Sequence, residues 1–359
     1  MDLLQEARGI INEVDSQMAQ LFVQRMQAAR MVAQYKQAHG MPILDEEREA
    51  AVLQSGAARV EDETLREYYI DFMRDTMAVS RRYQQRLLQG MKVAYSGTVG
   101  AFAHIAAQKL FPDAQAVAYG DFKAAYDAVV SGECDAVVLP LENSYAGEVG
   151  QVTDLMFSGP LYVNHILPLS ITHDLLGVEG ATLETVQTVV SHPQALSQCD
   201  DFIRGHSYKQ LPYTNTALAA KYVAQLNDPT VAAIASGESA GQYGLKMLAE
   251  GINRSQVNTT RFAVLSRAEN RNVSKHHGAH FILVFTVRNE AGSLAQALNI
   301  IGAHGFNMRT LRSRPMGTLL WQYYFYVEAE GNIHSDHGQR MLKELGVCCD
   351  KIKCVGSFT

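Results

Sequence analysis

The chain has 359 residues, 47% of them apolar and 19% charged, with a formal net charge of −6. That length exceeds a single core and predicts two or three domains, and the negative balance gives no reason to expect nucleic acid or an anionic membrane as partner. No run approaches about 18 uninterrupted apolar residues, so no membrane span is expected. The N-terminal MDLLQEARGII has no cationic region leading into an apolar block and does not read as a signal peptide. Five cysteines (Cys134, Cys199, Cys348, Cys349 and Cys354) form no CxxC pair and read as free thiols of a reducing cytoplasm.

Residues 1 to about 90 carry helical spacing only. A first helix is predicted from about residue 3 to His39, stopped by Gly40 and Pro42. It would be a rod of roughly 55 Å. Ninety residues cannot cover both sides of such a rod, so a second subunit is expected to share its packing. In SQMAQLFVQRMQAARMVAQYK (16–36), Met18, Leu21, Phe22, Ala29 and Val32 line one face. Arg25 and Lys36 fall inside that apolar arc, and Arg8 lies at its edge between Leu4 and Ile11. Asp45 is expected to cap a second helix opened by Glu46, Glu47, Arg48 and Glu49. Asp62 would cap a third, carrying Tyr69, Phe72, Met73, Thr76, Tyr83 and Leu87 on one face, with Ser80 and Gln84 a turn apart on the core side. One cation in an apolar arc more often snorkels outward or pairs with an acid such as Asp15 or Glu49. Four cations with a Ser/Gln pair turned inward are better explained by a bound polyanion, and the planar fork of arginine suits carboxylates.

This arrangement resembles the all-helical chorismate mutases across essentially all of residues 1–90. The resemblance implies that Arg25, Lys36 and Arg48 are substrate-binding cations and that Arg8 serves the site of a partner subunit. It also implies that Asp45 and Glu49 lie around the substrate's ring hydroxyl, and that Ser80 and Gln84 are a polar pair on the third helix. Spacing from Arg8 through Glu49 agrees without a gap. Ser80 and Gln84 require a loop one residue shorter, and Arg81 with Gln85 is the alternative pair, further around the wheel. The implied reaction, chorismate to prephenate, is a unimolecular rearrangement of a dicarboxylate and needs no nucleophile, proton transfer or cofactor. Holding the compact conformer would carry it, with Lys36 and Gln84 donating to the ether oxygen as the C–O bond breaks.

At KVAYSG (92–97) the period changes. Short β-rich runs then alternate with helical stretches to about residue 268: DAVVLP, TVQTVVS, TVAAIAS and RFAVLS read as strands. The pattern predicts mainly parallel sheets in two lobes facing a cleft. The junctions SGTVGAFAH (96–104), LENSYAGEV (141–149), SHPQALSQC (191–199) and YTNTALAA (213–220) put Gly, Ser, Thr or Asn where helices begin. Capping explains any one of them, while several converging on one cleft would make an anion site. GTVG is no GxGxxG fingerprint, and His192 before Pro193 reads as a polar turn residue rather than a lone base.

NTTRFAVL (258–265) runs polar residues straight into a buried strand. With the junctions above it resembles prephenate dehydratase over about residues 91–268. Thr260-Arg261-Phe262 is that family's signature, and Glu142-Asn143-Ser144 is nearly as specific. The resemblance implies a two-lobed, periplasmic-binding-protein-like α/β fold and Thr260 as proton donor to the departing ring hydroxyl. It further implies that Asn143, Ser191 and Gln198 bind or orient prephenate, supported by Glu142. Asn215 stands where some members carry glutamate. Loss of CO₂ and hydroxide creates the aromatic ring of phenylpyruvate, a driving force that makes a metal or organic cofactor unnecessary. Protonating the leaving hydroxyl is what helps. Threonine is a poor acid, so Thr260 requires a polarising neighbour.

ENRNVSKHHG (269–278) reads as a polar linker. Beyond it AHFILVFTV is a strand, SLAQALNIIGAHG a helix, FNMRTLRSRP with WQYYFYVEAEG a hairpin, GQRMLKELG a helix and DKIKCVGSF a strand. The order βαββαβ fits a ferredoxin-like domain. EAGSLAQAL (290–298) and TLRSRPMG (310–317) resemble the two effector motifs of ACT domains attached to prephenate dehydratases, which pair across a subunit interface and bind phenylalanine. Gly292, Ser293 and Leu294 match the first motif, with serine in place of alanine. Ser313, Arg314 and Pro315 match the second, with Arg312 replacing its leading glutamate and reversing a charge beside a zwitterion site. His276, His277 and His280 lack further ligands at closed-site spacing, so no metal is expected.

The chain therefore reads as multidomain: an all-α chorismate mutase at 1–90, a two-lobed α/β prephenate dehydratase at 91–268 and an α+β ferredoxin-like ACT domain at 279–359. The resemblances imply a cytoplasmic homo-oligomer, at least a dimer, running two successive steps toward phenylalanine. Chorismate and prephenate would be its substrates and phenylalanine its effector, with no cofactor. A dehydratase preferring arogenate and a non-catalytic amino-acid sensor are the alternatives. The intact Thr-Arg-Phe triplet and the complete cation set argue against the sensor.

Overall fold

The computed structural model describes residues 2–253, 258–271, 278–316 and 322–359. The chain divides into two units, Met1–Met91 and Lys92–Thr359. Among the described residues no helix is long and apolar enough to cross a membrane.

The first unit consists of α1 (Leu3–Ala38), α2 (Glu46–Ala57) and α3 (Glu63–Gln89). Each begins on an aspartate that accepts a backbone N–H: Asp2 from Leu4, Asp45 from Arg48, and Asp62 from Thr64 and Leu65. These acids satisfy donors the helix itself leaves unpaired. Helix α3 packs against both α1 and α2. The buried line is Ala29, Ala33 and Lys36 on α1 against Met77, Ser80 and Gln84 on α3. It is narrower than the predicted apolar face. Met18, Leu21, Phe22 and Val32 of α1, with Phe72 and Leu87 of α3, stand exposed, and Met77 takes the buried place. The physical reason is that α1 has a helical neighbour along only part of its length. Leu3, Leu4, Ile10, Ile11 and Val14 are also uncovered.

In the second unit β1 (Lys92–Ser96), α4 (Phe102–Leu110), β2 (Gln115–Tyr119), α5 (Phe122–Ser131), β3 (Ala136–Asn143), β4 (Gly147–Glu148), α6 (Gly150–Ser158) and β5 (Tyr162–Ser170) form a first lobe. The chain then builds a second lobe from β6 (Asp174–Gly177), β7 (Thr188–Ser191), α7 (Pro193–Gln198), α8 (Asp200–Gly205), β8 (Lys209–Pro212), α9 (Thr216–Leu226), β9 (Val231–Ala235), α10 (Glu238–Tyr243) and β10 (Lys246–Ala249). Strand β11 (Thr259–Ser266) returns to the first lobe. The remainder runs β12 (His280–Val287), α11 (Ser293–Ala303), β13 (Asn307–Pro315), β14 (Tyr323–Glu330), α12 (Asp336–Cys348) and β15 (Cys349–Phe358).

The second-lobe sheet is ordered β10-β6-β9-β7-β8, and the other β13-β14-β12-β15-β5-β11-β3-β1-β2 with β4 beside β3. Strands β1, β2 and β3 run parallel, as do β7, β8 and β9. The expectation of mainly parallel sheets needs correction, because β11 lies antiparallel between β3 and β5, and β6 between β10 and β9. The chain leaves the first lobe at the end of β5 and re-enters at that same end through β11, so the returning strand must run opposite to its neighbours.

The order β13-β14-β12-β15, with every pairing antiparallel, is that of a ferredoxin-like βαββαβ. One face of β12 (Phe281, Leu283, Phe285) packs with Ala297 and Ile301 of α11 and Met341 and Leu345 of α12. Its other face (Ile282, Val284) joins the first-lobe core with Met156 and Val163. Within that single sheet the ferredoxin-like strands join those of the first lobe at one parallel pair, Gly356 with Val163. A Cβ at Gly356 would stand 2.0 Å from the Val163 carbonyl oxygen, so only glycine permits the approach.

Candidate functional sites

Within the first unit, Arg25, Val32 and Lys36 from α1, Asp45, Arg48 and Glu49 from the start of α2, and Ser80, Arg81 and Gln84 from α3 line one cavity of ≈ 360 Å³. Four cations therefore face two acids, and the acids are already engaged. Asp45 accepts the Arg48 N–H at 3.0 Å, and Glu49 pairs with Arg81. Arg25 donates to the Ser80 hydroxyl and to the Thr76 carbonyl, and burial lowers its pKa from the ordinary value with no acid to offset it. The Lys36 side chain, only 8% exposed, donates to the Ile43 carbonyl at 2.5 Å. The buried Gln84 Oε1 has no partner among the described residues. Cations held by neutral partners in a half-buried cavity favour an incoming dianion. Of the alternative pair, Arg81 lines the cavity and Gln85 is exposed. Arg8 is exposed about 25 Å along the α1 axis from Arg25, so it is not part of this cavity in its own chain.

The second cavity, ≈ 640 Å³, opens between the two lobes. Ser96 and Gly97 at the end of β1, the 143–149 turn, His192, Gln194 and Gln198 of the α7 region, Asn215 before α9, and Thr260 and Phe262 of β11 contribute to its wall. Asn215 caps α9 by accepting the Leu218 N–H at 2.7 Å, and His192 caps α7 through Nδ1. Deeper in, the side chains form one continuous polar chain. Asn143 Nδ2 donates to Thr260 Oγ1 at 2.9 Å and to Asn258 Oδ1 at 2.7 Å. Asn258 Nδ2 donates to Gln198 Oε1 at 3.1 Å, and His173 Nε2 lies 2.8 Å from that same oxygen. Asn258 and His173 were not singled out from the sequence, where a single Asn or His at a strand end carries no spacing signal.

Four predicted residues do not line this cleft. Ser191 is fully buried and its Oγ donates to the Ile234 carbonyl at 2.5 Å, because β7 is covered on both faces. Ser144 Oγ accepts the Thr259 N–H at 3.0 Å and ties the turn to β11. Glu142 and Arg261 alternate with Asn143 and Thr260 along their strands and face the other way. There Arg261 reaches Glu142 at 2.5 Å and grips Glu328 of β14 with two bonds of 3.0 and 2.8 Å.

Arg312 also pairs with Glu142 and lies 3.6 Å from Glu148, while Arg314 binds Glu148 at 2.7 Å and Asp154 at 2.9 Å. A Cβ on Gly150 would fall 2.0 Å from that Arg314 guanidinium. Burial pushes the Glu142 carboxyl up, but the bonds and charges of Arg261 and Arg312 outweigh it and leave it below its ordinary value. The same balance, with Arg314 and Tyr324 as partners, lowers Asp154. Arg312 is therefore neutralised by first-lobe acids rather than standing as an uncompensated reversal. Ser313 and Pro315 point outward and are exposed. Gly292 precedes α11, and Leu294 borders a different cavity of ≈ 560 Å³ that Arg314 does not line. Within one chain the first motif reaches this cavity through Glu290 and Leu294 and the second through Met316, while Ser313, Arg314 and Pro315 do not line it. Of His276, His277 and His280, the first two lie outside the described residues, as does Gly317, and His280 opens β12.

The family model for chorismate mutase type II matches residues 7–85, and that for prephenate dehydratase matches residues 93–270. The bifunctional chorismate mutase/prephenate dehydratase of Enterobacter agglomerans is 33% identical over 98% of this chain and 94% of its own. Among solved structures, the prephenate dehydratase of Arthrobacter aurescens in complex with L-Phe has a TM-score of 0.70 at 26% identity, covering 75% of this chain and 90% of that one. The quorum-quenching acylase GqqA has a TM-score of 0.68 at 26% identity, covering 74% and 97%. The fold of the second unit is thus shared with another chemistry and does not by itself name the reaction. The domain matches and the full-length identity do. They define an isomerase joined to a carbon–oxygen lyase. The chain belongs to the bifunctional chorismate mutase/prephenate dehydratases, converting chorismate to prephenate and prephenate to phenylpyruvate.

Proposed function

We propose that Thr260 is the acid of the dehydratase step. The observation that carries this is the direction of its hydrogen bond. Asn143 donates to Thr260 Oγ1, so the hydroxyl's own proton has no acceptor among the described residues and is free toward the cleft. Asn143 is then the polarising neighbour that a threonine acid requires. As the ring C–O bond breaks, the oxygen takes the Thr260 proton and departs as water. The electrons of the C–CO₂ bond flow into the ring, CO₂ leaves, and solvent reprotonates Thr260. Asn143 and Gln198 orient prephenate, Phe262 packs beside it, and Asn215 holds the N-terminus of α9 in the wall. Prephenate is favoured over arogenate because, among the described residues, the cleft wall offers an α-ammonium one carboxylate, Glu148, already paired with Arg314. The test is Thr260→Val, which keeps the shape and removes the proton. It should abolish phenylpyruvate formation, whereas Thr260→Ser should retain part of it, and equal loss in both would count against the assignment.

In the helical unit, Arg25 and Arg48 hold the two chorismate carboxylates, while Lys36 and Gln84 donate to the breaking ether. Asp45 and Glu49 take the ring hydroxyl, and Ser80 steadies Arg25. Arg8 enters from a second copy whose helices cover the exposed apolar face of α1. Three working domains, 1–90, 91–268 and 279–359, follow from this assignment. The last is an ACT domain that binds phenylalanine between two copies, with Gly292, Ser293 and Leu294 from one and Ser313, Arg314 and Pro315 from the other. The outward Ser313 and Pro315, together with the L-Phe bound by the Arthrobacter relative, support this reading. All five cysteines are free, as suits a cytoplasmic enzyme.

A further inference from the structure

Prephenate brings two carboxylates to a cleft whose described lining includes no lysine and no arginine. Among the described lining residues, the side chains able to take a positive charge are His173 and His192. They are held differently. His192 is half-exposed and its Nδ1 accepts the Gln194 N–H. His173 is 3% exposed, its ring meets Phe102 edge-on at 5.7 Å, and its Nδ1 is buried without a partner.

The protonation of His173 is fixed from a distance. The backbone N–H groups of Tyr145 and Ala146 both donate to Asn143 Oδ1 at 2.9 Å, which fixes that amide. Asn143 must then donate to Asn258 Oδ1, and Asn258 to Gln198 Oε1. Gln198 can only accept from His173, whose proton therefore sits on Nε2 and whose lone pair sits on the buried Nδ1 of a ring that lines the cleft. Among the described residues, the ring contact and hydrogen bonds around His173 run to Phe102 of α4 and Gln198 of α7, with Asn258 before β11 behind them, and none of these is titratable. Asp174, the next residue, is turned to the Gly251 N–H at 2.8 Å, and Cys199 is buried in the second-lobe core. Glu148 and His192 are the other titratable groups of the described cleft lining. Burial outweighs the Gln198 bond and lowers the His173 pKa from its ordinary value.

We infer that His173 is a substrate-binding residue of the dehydratase, taking a proton from solvent onto Nδ1 as a prephenate carboxylate arrives and holding it as an imidazolium–carboxylate pair. This rests on the cleft being the dehydratase site. A carboxylate in contact raises the imidazole pKa, so binding is coupled to uptake of one proton. Above the pKa of the free ring, apparent affinity falls by up to tenfold per pH unit.

The experiment measures kcat and KM for prephenate with the full chain between pH 6 and 8.5, in wild type, His173→Gln and His192→Asn. The glutamine keeps an N–H for Gln198 and leaves nothing at Nδ1, and the asparagine preserves the α7 cap. Wild-type KM should climb toward tenfold per unit above neutrality while kcat moves less than about threefold. His173→Gln should start near the high-pH KM and stay flat, and His192→Asn should keep the wild-type slope. A flat wild-type KM overturns the inference, as does a slope that survives in His173→Gln or vanishes in His192→Asn. Should His173→Gln fail to fold by thermal melting, the other two profiles still decide. A chain that turns over no prephenate at any pH would instead overturn the site assignment itself.

Discussion

Arg261 follows the proposed catalytic acid directly, yet its place in the structure gives it a different task. Its guanidinium lies 2.5 Å from Glu142 and binds both oxygens of Glu328, whose side chain is 5% exposed. In Arg261→Met, Glu142 retains Arg312. Among the described residues Glu328 retains only His280, at 3.9 Å. Removing one partner of a buried pair typically costs about 3–5 kcal/mol, and the partial exposure of Arg261 argues for the lower end. At about 2–4 °C per kcal/mol for a unit of this size, its melting temperature should fall by about 6–12 °C. KM for prephenate should stay within about threefold, since the side chain faces away from the cleft. Scanning calorimetry of the full chain, with dehydratase kinetics below the transition, reads both quantities. Adding Glu328→Met should recover most of the loss, because no unpaired charge then remains buried. A tenfold or larger rise in KM with unchanged melting would refute the reasoning and return Arg261 to the substrate.

Arg312→Glu sets a third carboxylate beside Glu142 and Glu148 and removes two ion pairs, so melting should fall by several degrees, most steeply at low salt. An unchanged transition would mean that the acids are not its partners. Glu142 and Asp154 are both held below their ordinary values of 4.5 and 3.8, so the stability they confer is complete above those values and is lost as pH falls through the folded pKa. Melting of this unit should be level from pH 7 to 5 and drop below about pH 4, and a level profile to pH 3 would contradict the pairing. Leu21→Glu, on the uncovered face of α1, should lower the oligomer size in sedimentation and cut mutase turnover by at least tenfold. Unaltered sedimentation would show that this face is not the contact.

Much of the fold was legible because it is local chemistry. Asp45 and Asp62 cap the helices they were expected to cap, and the change of period at KVAYSG marks where the helical unit ends. The cations among apolar residues were equally readable, since Arg25 and Lys36 break a pattern that a plain core helix would keep. Motif spacing failed where the direction of a side chain mattered. Glu142-Asn143 and Thr260-Arg261 each place one residue in the cleft and its neighbour on the opposite face, and strand alternation decides which. The Arg261–Glu328 and Arg312–Glu142 pairs join residues 67 and 170 positions apart, beyond the reach of any local pattern. His173 carries no signature at all. Its significance comes from an amide chain that begins at the backbone of Tyr145.

The central claim is that one chain carries two independent sites acting in succession. Chorismate incubated with the purified full chain should disappear with formation of phenylpyruvate. Thr260→Ala should consume chorismate at the wild-type rate and accumulate prephenate. Lys36→Ala should leave chorismate but still convert added prephenate, with mutase kcat lowered about 10²–10³-fold. Phenylpyruvate formed by Thr260→Ala, or undiminished chorismate consumption by Lys36→Ala, would contradict the account.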